Sequence, residues 1–198
     1  MTVANNVPST PTRSDDLIAR LDALVRRADR ARLAALRRLL APPPRWGPDA
    51  YAAGIPLLPP GLWPSEMEHW LLVAGLYALW HQGHGVPSTL RGVNFGESMR
   101  ALAKMAAHGA ELSEAVERRF SVLLASEDER LAHHLRQAVG QLASTGVEVD
   151  FGRLLDDLRY WEHPGRYVQR RWAASFWAPP SERAARHPIE AAEEKEQP

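Results

Sequence analysis

Apolar side chains recur at three- and four-residue spacing through most of this chain, and no run of useful length alternates apolar with polar. That period lines one face of an α-helix, whereas a half-buried strand needs a period of two. The chain is therefore predicted to be all-α. Behind a Ser/Asp cap at Ser14, the first stripe is Leu17, Ile18, Leu21, Leu24 and Val25. Leu33, Leu36, Leu39 and Leu40 continue it past Asp29, as one long helix or two short ones. Ser65 is expected to cap a strongly apolar central helix through Trp70, Leu71, Leu76 and Trp80, ended by the glycines of the HQGHG run. Met99, Leu102 and Met105 mark the next helix, stopped at Gly109, and Ser113 opens another with Val116, Phe120, Leu123 and Leu124 inward. Ser126 and Glu129 match the capping-box spacing S-x-x-E ahead of Leu131, Leu135, Val139 and Leu142. Asp150 and Pro164 precede the last two helices.

Proline removes an amide donor and breaks helices, so the proline-dense segment 41–64 is expected to be a connecting loop with one turn near Asp49 to Ala53. Residues 1–13 and 179–198 carry no apolar period and are expected to be a disordered arm and a disordered acidic tail. Between them, residues 14–178 should form one compact helical bundle of about seven or eight helices. A chain of 198 residues is long enough to bury roughly 70% of its unfolded surface without covalent staples. No cysteine occurs, which removes disulfides, thiolate metal sites and thiol nucleophiles. The start lacks a basic-then-apolar leader and no stretch is apolar enough to span a bilayer, so the expected location is cytoplasmic, without membrane association.

The residues offer little for bond chemistry. His81 and His84, and the adjacent His133 and His134, lack further ligands at metal spacing and read as surface or capping histidines. Ser98 lies in GESMR, which lacks the second glycine of a nucleophile elbow, and GVNFGES is no phosphate loop. Asp156 and Asp157 point about 100° apart on a helix and read as a solvated face. No cofactor, metal or enzymatic activity is expected.

Charge is the informative feature. Lysines occur only at Lys104 and Lys195, so the other cations are all arginine, and the formal net charge of zero hides their segregation. Seven arginines face the single acid Asp29 between Arg26 and Arg45, and Arg159, Arg166, Arg170 and Arg171 face only Glu162. Arginine's planar fork of donors suits phosphate oxygens, and a neutral total leaves room for a polyanion partner.

The order of short motifs resembles the CasB family, the small subunit of the type I-E CRISPR surveillance complex, Cascade. The likeness runs from Asp29 to Trp177. It comprises LRR at Leu36, Arg37 and Arg38, a hydrophobic helix, and RAL at Arg100, Ala101 and Leu102 behind Gly96. An ERRF start follows at Glu117 to Phe120, then LR at Leu135 and Arg136, DL-x-x-W ending at Trp161, and the final Phe176. The chain departs from the family by its proline-rich loop, a longer stretch between Gly96 and Arg118, and both tails.

The resemblance implies a helical bundle without enzyme activity, present as two copies on a backbone built on CRISPR RNA beside other Cascade subunits. It would line a basic path for target DNA that holds the guide RNA–target DNA hybrid and the displaced strand, the R-loop of antiviral defence. The family's basic positions fall on Arg37, Arg38, Arg100, Lys104, Arg118, Arg119, Arg136 and Arg166, and local charge adds Arg170 and Arg171. The tryptophans Trp70, Trp80, Trp161 and Trp172 share stripes with Leu and Phe and are expected in the core. A rival reading is a helical protein-protein adaptor whose arginines serve solubility and touch no nucleic acid.

Overall fold

The computed structural model describes residues 13–41, 47–107 and 111–178. They form α1 (Arg13–Arg26), α2 (Arg30–Arg37), α3 (Pro48–Gly54), α4 (Pro64–Trp80), α5 (Phe95–Ala106), α6 (Glu114–Leu124), α7 (Asp128–Thr145), α8 (Phe151–Leu158) and α9 (Tyr167–Trp177). Single 3₁₀ turns follow α2 at Arg38–Leu40 and α3 at Ile55–Leu57. No strand occurs among the described residues, as the helical period requires. The arm 1–12, the tail 179–198 and the expected stop at Gly109 lie outside the described residues.

Two local events raise the helix count to nine among those residues. Ala28 adopts a left-handed φ of +53°, and the Asp29 carboxylate accepts the Arg32 backbone N–H at 3.0 Å, so the first stripe is cut into two helices. Within the proline-dense segment, Pro48 sits in the first turn of α3, where its missing N–H costs nothing, so a helix forms where a turn was expected.

Two expected caps are corrected. Helix α4 starts at Pro64 with Trp63 as N-cap, so position 65 lies inside the helix, and Glu66 closes the turn by accepting the Trp63 N–H at 3.3 Å. At α7 the N-cap is Glu127, because the Ser126 hydroxyl donates backwards to the Val122 carbonyl at 2.8 Å, finishing α6 instead of starting α7. A capping box does form at α5, with Asn94 Oδ1 accepting the Gly96 N–H at 2.9 Å and Glu97 accepting the Asn94 N–H at 2.7 Å. Asp150 caps α8 as expected, with its second oxygen holding the Gly92 N–H at 2.8 Å.

Helix α4 is apolar all round and accordingly buried, with Trp70, Leu71, Val73, Ala74, Leu76 and Tyr77 almost inaccessible. It packs on α1, α2, α7 and α8, while α5 packs on α6, α7 and α9. Trp80, Trp161 and Trp172 also lie in the core. Tyr77 donates a short hydrogen bond to the buried Asp22 on α1, and burial raises its phenol far above the ordinary value. His81 stacks on the Tyr77 ring, with centroids 4.0 Å apart, and its Nδ1 lies 2.9 Å from the Tyr77 carbonyl. It therefore acts as a C-terminal cap of α4, though buried where a surface position was equally expected.

The α5–α9 crossing depends on one glycine. A Cβ added at Gly96 would stand 2.2 Å from the Trp172 carbonyl oxygen, so the helices touch backbone to backbone. Gly96→Ala is expected to destabilise the fold by about 1–3 kcal/mol through forced backbone displacement. Urea unfolding at unchanged m-value reads this out, and an unshifted midpoint would mean that the crossing has slack.

Candidate nucleic-acid interface

Helices α6 and α7 pack side by side, each keeping one apolar face inward. Burial of Val116, Phe120 and Leu123 turns Arg118 and Arg119 to the surface of α6, and burial of Leu135, Ala138 and Val139 exposes Arg136 and Gln137 on α7. A cavity of about 300 Å³ opens between these helices over Met99 of α5, with Arg118 and Arg119 at its edge. A shallower cleft of about 630 Å³ continues from it past Arg119 and Arg136 to Leu79 of α4. The two share Arg119, Gln137 and Gln141, and no acidic residue lines either. Among the described residues Arg118, Arg119 and Arg136 hold no hydrogen bond or ion pair, so three cations converge on one groove uncompensated. Burial, with the neighbouring His133 and Arg130, lowers the pKa of the His134 imidazole that lines the first cavity.

Exposed guanidinium groups are satisfied by water, and several of them together with no neighbouring acid leave a positive surface potential able to attract an anion. Adjacent residues on a helix point about 100° apart, yet Arg118 and Arg119 both line the same cavity.

The other predicted cations lie elsewhere, most of them engaged. Arg37 donates to the Ala78 carbonyl at 3.3 Å, and Arg38 is 3.6 Å from Asp49. Arg37 and Arg30 line a separate cleft with His81 and His84 between α2 and the end of α4. The turn Arg38–Leu40 nevertheless packs on α7 as well as α4, so this basic segment adjoins the helix that carries Arg136. Arg100 donates to the Phe176 carbonyl and so ties α5 to the end of α9, and Lys104 sits half-buried in the last turn of α5. Arg166 donates to the Leu124 carbonyl at 2.5 Å and Arg170 to the Gly165 carbonyl at 2.6 Å, on a surface shared with Trp177. Arg171 pairs with Asp157, as Arg153 does at 3.2 Å.

Asp157 corrects the expectation of a solvated face, since it is only 2% exposed and accepts the Trp172 indole N–H at 2.6 Å. Ser98 is a helix residue whose hydroxyl donates to the Glu148 carbonyl at 2.9 Å. Among the described residues no group of three or more side chains is placed to hold a metal ion.

The groove also holds two amides that charge-based reading passed over, Gln137 and Gln141. The signal lay in the sequence: His133, Arg136, Gln137, Gly140, Gln141 and Ser144 recur at helical spacing opposite the leucines of α7.

A family model described as CRISPR-associated protein Cse2 matches residues 32–177. A curated CRISPR-associated protein Cse2 from Thermus thermophilus is 42% identical over 160 residues, covering 80% of this chain and 86% of that protein. The crystal structure of a Cse2-family protein from Thermus thermophilus superposes with a TM-score of 0.66 at 36% identity, covering 83% of this chain and 97% of that one. CasB from Thermobifida fusca gives 0.64 at 25% identity, over 83% and 96% of the two chains. A chain from a CRISPR RNA-guided surveillance complex gives 0.70 at 25% identity, over 88% and 96%.

Proposed function

The chain belongs to the CRISPR-associated Cse2 family, and from that premise we propose that it is a non-catalytic small subunit of a type I-E CRISPR surveillance complex acting in antiviral defence in the cytoplasm. In this reading its partners are the other Cascade subunits, CRISPR RNA, a second copy of itself and both strands of the opened target DNA. The observation that carries the reading is the acid-free groove where Arg118, Arg119 and Arg136 lie without partners. The likeness to a chain of a CRISPR RNA-guided surveillance complex supports the assembly.

Guided strand exchange is close to energetically balanced, because the hybrid formed is about as stable as the duplex lost. Contacts that ignore sequence but favour opened strands therefore decide how long the R-loop lasts. Arginine-phosphate contacts meet that need: they position a strand and leave base identity to the guide. Exposed apolar side chains such as Trp63 and Val86, each 74% accessible, suit contacts with neighbouring subunits, which gives the adaptor reading a place beside the binding role.

The test is reconstitution of the surveillance complex with and without this chain, following the dwell time of an R-loop on supercoil-free target DNA. Omission is expected to shorten the dwell time at least about tenfold, the effect of losing roughly 1.4 kcal/mol of strand contacts. An undiminished dwell time in its absence would reject the role.

A further inference from the structure

We infer that the cavity under Arg118 and Arg119 receives one unstacked nucleobase, while the adjoining cleft past Arg136 carries the backbone that leads to it. The inference rests on the nucleic-acid reading of the same groove and adds what kind of strand it takes. Three features argue for a base instead of another phosphate. The floor is apolar, made by Met99 and Leu123 at 1% exposure and Ala138 at 6%, which offers nothing to a phosphate oxygen and suits the face of a ring. At about 300 Å³ the space is at the small end of ligand pockets and has room for a single base.

The third feature is the lining of the edges. Arg118 and Arg119 bring planar guanidinium groups, which stack on bases as well as bind phosphate. Gln137 and Gln141 bring amides able to meet a base edge. Gln137 already shares a 2.9 Å hydrogen bond with His133 Nε2, which leaves its carbonyl oxygen as an acceptor. Because Arg119, Gln137 and Gln141 also line the backbone cleft, the base and its own phosphate would be held by neighbouring parts of one surface. A base inside a duplex is stacked and paired and has no access to such a cavity, so the groove selects single-stranded nucleic acid.

The experiment measures binding of the full chain to a short oligodeoxyadenylate and to the same strand with every base replaced by an abasic tetrahydrofuran. Wild type is expected to prefer the intact strand by about tenfold or more, the scale of one base contact. Ala138→Leu fills the floor and is expected to abolish the preference while leaving abasic-strand affinity unchanged, which also reports that the arginines and the fold are intact. Should that variant bind the abasic strand poorly, the pair Gln137→Leu, at an exposed position, and Gln141→Leu, at a half-buried one, provides the same reading, with the preference expected to fall. Equal affinity of wild type for the two strands would overturn the base cavity while leaving backbone binding standing, as would a preference undiminished in both variants. Failure to bind either strand at low salt would instead overturn the nucleic-acid reading itself.

Discussion

Asp157→Ala is expected to destabilise the protein by about 3–5 kcal/mol, the cost of breaking a buried ion pair from one side. The carboxylate is 2% exposed and joins two helices, α8 and α9. One oxygen accepts the indole N–H of Trp172 at 2.6 Å, and the other pairs with Arg171 on α9 and with Arg153 on α8 at 3.2 Å. Burial pushes the Asp157 carboxyl pKa up, against the Trp172 hydrogen bond and the Arg171 charge, so its partners are what keep the charge tolerable. Removing it strands the N–H of a fully buried tryptophan and takes the ion-pair partner from Arg171, whose Nε already lacks a partner. Asp157→Asn keeps an acceptor for Trp172 and is expected to cost less, about 1–3 kcal/mol. Urea titration at constant m-value measures both. A loss below about 1 kcal/mol for the alanine variant would mean that α8 and α9 are held by apolar packing alone.

The combined reversal Arg118→Glu, Arg119→Glu and Arg136→Glu is expected to lower affinity for single-stranded DNA about 1,000-fold or more, since each charged contact contributes about 1.5 kcal/mol or more. All three side chains are exposed and hold no partner among the described residues, so helicity and unfolding midpoint should hardly change. The basic LRR segment makes a useful comparison. Arg37 already caps a carbonyl and Arg38 already faces Asp49, so their reversal disturbs α2, α3 and α4 and should weaken binding less. Electrophoretic mobility or anisotropy in one low-salt buffer separates the two sets, and an equal loss in both would show that the α6–α7 groove has no special place.

The helices were legible because their apolar stripes are long and their breakers strong. Caps were less so: Ser126 and Glu129 have the capping-box spacing, yet nothing in that spacing says that the hydroxyl will turn back to Val122. Asp157 looked solvated because its neighbour Asp156 suggested a polar face. Its burial depends on Trp172, fifteen positions away, which only the tertiary packing brings near. Charge density located the basic segments but not the engaged cations, because Arg100, Arg166 and Arg171 find carbonyls and a carboxylate on other helices. The convergence of Arg118, Arg119 and Arg136 is likewise a product of how α6 lies on α7. Only the polar stripe of α7 itself could be read along the chain.

The central claim is that the α6–α7 groove neutralises phosphates, and the salt dependence of single-strand binding tests it most directly. Three phosphate contacts give a slope of log affinity against log salt of about −2, and substituting Arg118, Arg119 and Arg136 together with alanine should make the wild-type slope shallower by about that amount. Parallel slopes for wild type and the alanine variant would contradict the account.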